Sequence, residues 1–274
     1  MRKGLKLTVL GVVSVAVSAW LSGQALAQPT CGCLDIALVI DDTGSMGPAI
    51  ANVKTGLNAI ISMAQAASGG DLHMSLVSFP DDIPIVRQAL TSNLTDEMTA
   101  VNNLSAGFTG GNEPEASDEA LRFVVTGATN CAGATGNPGT FRAACTKIAV
   151  LVTDARPGGC DDTFTPGVDD VAAAAVASLA ATAGVKISAV YVPTNALLSP
   201  TIVPIMQNYA TTTGGQFLQV GANGSGTANA IMQIIEACGG LGAARAPALS
   251  WPLLAVSFLG LAAWGGWRLS RSHR

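Results

Sequence analysis

Asp41-Asp42-Thr43-Gly44-Ser45-Met46-Gly47 follows directly on the apolar run Asp35-Ile36-Ala37-Leu38-Val39-Ile40. A carboxylate with hydroxyls two and four residues later can direct three oxygens, those of Asp41, Thr43 and Ser45, into one loop. Hard divalent cations take oxygen ligands of this kind, magnesium near 2.0–2.1 Å in octahedral geometry. The same string also serves turns and helix N-caps, so its neighbours must decide between the two. Asp42, in the intervening position, reads as a supporting or surface carboxylate rather than a ligand.

Enzymatic chemistry finds little footing. Between the two chain ends there is a single histidine, His73, inside an apolar run, where a satisfied core histidine is expected. Gly44-Ser45-Met46-Gly47 is not the nucleophile elbow GxSxG. No GxxxxGK[ST] or GxGxxG phosphate loop occurs. The chain is therefore expected not to be an enzyme.

The elements that must position these residues alternate in type. Residues 35–40 form a short apolar run suited to a strand buried on both faces. Ile50, Val53, Leu57, Ile60, Ile61 and Ala64 recur at helical spacing, and Ser68-Gly69-Gly70 ends that helix. Strands are expected over 73–79, 85–90, 147–153, 185–192 and 216–220. Helices are expected over 96–104, 115–126, 169–183, 203–212 and 228–237, with Glu115 capping the second of them through the helix dipole. The pattern implies an α/β fold, a doubly wound, mostly parallel central sheet with helices on both faces. In such sheets ligands collect at the C-terminal ends of strands, near the topological switch point.

The ends carry a different signal. Residues 1–27 combine a basic start, an apolar run and Ala25-Leu26-Ala27, the pattern of a secretory signal peptide. Residues 28–33 form a short Cys-containing segment, and 239–250 a linker rich in small residues. Residues 251–267 make an uncharged stretch of 17, at the short limit for a spanning helix. The basic tail 268–274 would stay cytoplasmic. This C-terminal block weakly resembles the sorting tails of exosortase-type (PEP-CTERM-like) bacterial surface proteins, so the protein is expected to be exported and anchored in the cell envelope.

Only 12% of residues are charged, with a mean hydropathy of +0.43, against about 25% charged in ordinary domains. The formal charge of −4 hides an asymmetry. Three of the 14 Lys+Arg lie at each end, leaving eight against all 18 Asp+Glu, so the middle carries −10. That balance excludes nucleic acid as a partner, since its binding needs phosphates neutralised by Lys and Arg. Export makes disulfides the default for Cys31, Cys33, Cys131, Cys145, Cys160 and Cys238. Cys31 or Cys33 is expected to join Cys238, with Cys131–Cys145 as a second pair across a Gly/Asn/Pro/Thr loop.

The strand–DxTGSM–helix order resembles the start of a von Willebrand factor A (VWA) domain, whose metal-ion-dependent adhesion site is built on DxSxS. Lys147-Ile148-Ala149-Val150-Leu151-Val152-Thr153, ending in Asp154, resembles the family's strand–Thr–Asp segment, and the late Thr213-Gly214-Gly215 its TGG element. Gly107-Phe108-Thr109-Gly110-Gly111-Asn112-Glu113-Pro114-Glu115 stands where the family has a Gly-rich loop ending in Thr, or in one subgroup Asp-x-Pro-Glu. The resemblance covers residues 34–238. It implies a cation held by Asp41, Thr43, Ser45 and Asp154, with either Asn112 or Thr109 completing the set; Thr43 replaces the usual Ser. The cofactor implied is Mg2+, with Mn2+ or Ca2+ as alternatives. Asp161 and Asp162 are expected to be a solvated acidic loop rather than a second cation site. The function implied is adhesion: a protein or matrix ligand offers a carboxylate to the cation. A structural envelope protein with a degenerate site, and more distantly a metal-assisted hydrolase, are the rival expectations.

Overall fold

The computed structural model describes residues 31–107 and 113–238. The expected signal peptide, residues 28–30, Thr109, Asn112, the linker, the apolar C-terminal segment and the basic tail lie outside the described residues. Among the described residues no helix is long and apolar enough to cross a membrane.

Six strands, β1 (Leu34–Asp41), β2 (Leu72–Phe79), β3 (Ile85–Thr91), β4 (Thr146–Thr153), β5 (Val185–Tyr191) and β6 (Phe217–Gln219), form one sheet in the order β3-β2-β1-β4-β5-β6. All neighbours are parallel except β3, which returns antiparallel beside β2. The chain thus steps outward from β1 to β2 and β3, then crosses to β4 on the other side of β1. That crossing makes the gap between the C-terminal ends of β1 and β4 the switch point of the sheet.

All eight residues of β1 are buried, which is why the strand reads as an unbroken apolar run rather than an alternating one. Its side chains still alternate between two cores. Leu34, Ile36, Leu38 and Ile40 face a layer made by α1 (Gly47–Ala67), α2 (Leu94–Asn103) and α6 (Thr227–Cys238). Ala37 and Val39 face α3 (Ser117–Thr126), α4 (Asp169–Ala183) and α5 (Ser199–Thr213). In α1 the buried positions are those read from the periodicity, from Ile50 to Ala64. Gly56 lets α1 and α6 approach closely: a Cβ there would lie 2.5 Å from that of Ala228.

Some element boundaries differ from the sequence expectation. α2 starts at Leu94, because the Asn93 side chain accepts from the Thr95 amide and caps it. α5 starts at Ser199, since Pro200 falls in the first turn, where no amide hydrogen bond is lost. Glu115 does not cap α3; the N-cap is Ala116, with no side-chain hydrogen bond. His73, near the start of β2, is half-buried rather than part of the core.

The disulfides gather at two places. Cys31–Cys238 and Cys33–Cys145 lie at the end of the molecule where β1 and β4 begin. There Arg142 also donates through its backbone N and Nε to the buried Asp35 carboxylate at 2.6 and 2.7 Å. The Cys31–Cys238 bond agrees with one of the expected staples. The expected Cys131–Cys145 bond is not formed: Cys131 joins Cys160 in the connection after β4. Cys145 immediately precedes β4 and faces the residue preceding β1, because the two strands pair in register from Leu34 and Thr146.

Two outcomes follow for stability. Replacing Cys31 and Cys238 by Ser opens a closure spanning 207 residues and should cost about 2–5 kcal/mol in urea unfolding; a loss below about 1 kcal/mol would show that the staple contributes little. Glu97 on α2 is fully buried, and neither carboxylate oxygen has a hydrogen-bond partner. Burial alone pushes its carboxyl up to about 8. The folded protein keeps this proton where the unfolded chain has already released it. Stability is therefore lost as pH rises from the ordinary carboxylate range to about 8. Glu97→Met should be more stable than the parent at pH 8–9 by on the order of a few kcal/mol, with the gap closing toward pH 4; a pH-independent gap would contradict this assignment.

Candidate metal centre

Asp41 is the last residue of β1 and is fully buried. Extended backbone at Thr43 leads into the turn Gly44–Met46, and α1 begins directly after it. This folds the hydroxyls back on the carboxylate. Thr43 donates its hydroxyl to Asp41 Oδ1 at 2.6 Å and its amide to the same oxygen at 3.0 Å. The Thr43 and Ser45 hydroxyl oxygens lie 3.3 Å apart. The expected Asp41, Thr43 and Ser45 cluster is thus formed, with Ser45 exposed at its outer edge.

The neighbouring strand brings the fourth residue. β1 and β4 are in register to Ile40 and Val152, so Thr153 stands beside Asp41 and donates its hydroxyl to Asp41 Oδ2 at 2.6 Å. The next residue, Asp154, is buried and accepts at Oδ2 from the Thr194 hydroxyl, beyond β5. Both supporting threonines escaped the sequence reading of the site. The signal that could have found Thr194 is its place just past the C-terminal end of a strand adjacent to β4.

Asn112 and Thr109 lie outside the described residues. The residue that follows them, Glu113, is held by Arg156, two positions beyond Asp154, through an ion pair and a 2.6 Å hydrogen bond from the Arg156 amide. Pro114 packs against Gly158, where a Cβ would approach to 2.5 Å. The glycine is what lets the two loops meet.

Asp42 points away from this cluster. It is buried and ion-paired to Arg87 on β3 at 2.8 Å, while Arg87 Nε donates to Ser78 at 2.7 Å. Burial raises its carboxyl and the Arg87 charge offsets part of that. It is a support, as the sequence suggested, but of the interior rather than the surface.

Electrostatics mark the pole where β1 and β4 end. Burial first, and the charge of Asp154 second, push the Asp41 carboxyl up to about 7, against the hydrogen bonds from Thr153 and Thr43. Glu115, just before α3, goes up to about 10 through burial and then through Asp41, Asp81, Asp154 and Asp82. Its Oε2 has no hydrogen-bond partner. Several acids in so small and buried a volume repel one another unless protons or a cation compensate. The donor set is wholly oxygen, two carboxylates and two hydroxyls, and so fits a hard divalent ion rather than a soft one.

Without added cation, the Asp41 proton should be retained to about pH 7 in the folded state and released near ordinary carboxylate values in the unfolded one. The contribution of this group to stability then falls as pH rises through that window. In EDTA, Asp41→Asn should gain thermal stability relative to the parent between pH 5 and pH 8. A constant difference across that range would contradict the assignment.

Comparison with known proteins agrees with this architecture. The family model described as von Willebrand factor A domain matches residues 35–133, a segment that includes Asp41, Thr43 and Ser45. No curated protein is matched. Among solved structures, proximal thread matrix protein 1 from the mussel byssus is similar with a TM-score of 0.53 at 15% identity, over 77% of this chain and 47% of that one. The pilus adhesin SpaC from Lactobacillus rhamnosus GG is similar with a TM-score of 0.51 at 18% identity, over 76% of this chain and 30% of that one. The chain thus spans less than half the length of either, and at these identities the likeness is one of fold. The von Willebrand factor A match thus covers the part of the domain from β1 to the segment after α3, and the same sheet is completed by β4, β5 and β6.

Proposed function

We propose that this protein is an exported, envelope-displayed adhesion module that binds a protein or matrix ligand through a divalent cation. Asp41, Thr43, Ser45 and Asp154 would hold the ion, with Asn112 or Thr109 adding an oxygen. The observation that carries this reading is the convergence of Asp41 and Asp154, from sequence positions far apart, at the switch point of the sheet.

Each residue has a distinct part. Asp41 is oriented on both oxygens, by Thr43 on one and Thr153 on the other, so it cannot rotate away. Asp154 is steadied by Thr194. The hydroxyls of Thr43 and Ser45 add oxygen donors without adding charge. Two carboxylates balance but do not over-neutralise a divalent ion, so it keeps affinity for a carboxylate from a partner. Such an ion supplies a bridge between two proteins and needs no proton transfer from this chain. The remaining affinity and selectivity would come from the surrounding loops.

Three disulfides fit an oxidising compartment. Cys31 and Cys238 tie both ends of the domain together where β1 begins, opposite the pole that bears Asp41. A tether attached there, whether the C-terminal segment spans a membrane or is exchanged by a sorting enzyme, would leave the cation pole facing outward. The similar folds of a pilus adhesin and a thread matrix protein are in keeping with this reading.

Calorimetry with Mg2+ on EDTA-treated protein tests it. Binding should be present in the parent and weakened at least tenfold in Asp41→Ala and in Asp154→Ala. Absent binding, or affinity untouched by both substitutions, would leave the fold with a structural role only.

A further inference from the structure

The two edges of the sheet are finished differently. The outer edge of β3 is covered by this chain: the Val86 and Leu90 amides donate to Thr135 O and Pro138 O at 3.0 and 2.9 Å. β6 closes the other edge. Its inner side is taken by β5, where Ala189 N donates to Gln216 O at 2.8 Å and Val220 N to Tyr191 O at 3.0 Å. In a parallel ladder the residues between such bonded positions turn their N–H and C=O away from the neighbouring strand. Ala189 lies opposite Phe217 and Tyr191 opposite Gln219, so the outward residues are Phe217 and Gln219. Among the described residues, nothing bonds to those outward groups.

Open edges are ordinarily blunted by charge, proline or a bulge. Phe217-Leu218-Gln219 has none of these, and its register with β5 is unbroken. Phe217, Leu218 and Val220 are only half-buried. Phe217 packs on the core beneath α5, and Leu218 and Val220 on the core beneath α6, so apolar surface flanks the edge on both faces. On the α6 side a groove of about 310 Å3, lined by Leu218, Val220, Ser225, Asn229 and Gln233 among others, has room for an apolar side chain.

Charge decides what fits this edge. No Lys, Arg, Asp or Glu occurs from Ile187 to Ile235, the stretch that forms all of α5 and β6 and nearly all of α6. The chain between its two ends carries −10, so two copies repel one another over acidic surface. The flank made by α5, β6 and α6 lets them meet without opposing like charges. A further strand of this same chain after α6 is disfavoured there. α6 packs on the same side of the sheet as α1, whereas a strand beyond β6 would extend the sheet in the opposite direction from the β1-to-β2 step, which makes the crossover left-handed.

We propose that β6 pairs antiparallel with β6 of a second copy of this chain, about a two-fold axis beside Leu218. Phe217 of one copy then faces Gln219 of the other, and each donates its outward N–H to the outward carbonyl of its partner. Leu218 meets its own copy at the non-hydrogen-bonded position, where Cα atoms lie about 4.5 Å apart, and the side chains meet over the grooves beside α6. The interface is isologous, the same patch serving both copies. Antiparallel pairing points the two Asp41 poles in opposite directions, one at each end of the dimer. It uses no group of the cation centre and does not depend on the function proposed for it.

Analytical ultracentrifugation of the full chain in detergent, with EDTA present, tests this. The parent should pass from monomer to dimer as its concentration rises through the micromolar range. Gln219 is exposed, and Gln219→Pro removes an outward N–H that the fold does not use. This variant should weaken dimerisation at least tenfold while the monomer keeps its melting temperature. Leu218→Cys gives a second readout, because the native cysteines are all paired and the new thiol faces its own copy. Mild oxidation should link two copies through it much faster than through Thr99→Cys, an exposed position on α2 near the other edge of the sheet. A parent that stays monomeric throughout would overturn the proposal and leave the edge to an extended segment of another protein. A dimer that Gln219→Pro leaves intact, or crosslinking equally fast from Thr99→Cys, would overturn it as well.

Discussion

Asp41 ends β1 and Asp154 directly follows the adjacent parallel strand β4, and both are buried. Carboxylates so placed repel each other and cannot be hydrated, and the architecture around them answers that constraint. Thr43 and Thr153 each donate a hydroxyl to Asp41, one to each oxygen, and Thr194 donates to Asp154. These bonds hold the acids in place without neutralising them, because hydroxyls add no charge. Burial, and after it the charge of Asp154, still displaces the Asp41 carboxyl upward against those hydrogen bonds. A divalent cation would complement the negative charge of the two acids, and the oxygen-only donor set fits a hard one.

The parallel sheet is what makes the constraint possible. Parallel neighbours in register bring the ends of β1 and β4 side by side although they lie more than a hundred residues apart in sequence. The sheet also has direction. Two disulfides and the Arg142–Asp35 ion pair tie down the end where strands begin, while acidic groups populate the end where they finish. One end resists unfolding and the other carries charge.

Much of this was legible in the chain. β1 could be recognised because a strand buried on both faces must be continuously apolar, and α1 because its buried residues recur every three or four positions. The Asp41, Thr43 and Ser45 cluster was legible because it is local: five residues and one turn build it. Glu115 was misread. Its place just before a helix suggested a cap, but the fold turns it inward among other acids, which no local rule registers. The pairing of Cys131 failed for a similar reason, since nearness in sequence favoured Cys145, whereas the β1–β4 register gave that residue to Cys33.

The sequence by itself determined the alternation of elements, the two-sided burial of the central strand and the local oxygen cluster after it, because periodicity and short-range geometry follow from residue type and spacing. Only the tertiary structure decided which distant groups meet. Thr153 and Thr194 became supports, Asp42 became the partner of Arg87, and Asp81, Asp82 and Asp162 became neighbours. Each of those contacts depends on strand order and on how loops cross the sheet's end. Both are set by packing of the whole core, and no window of the sequence contains them.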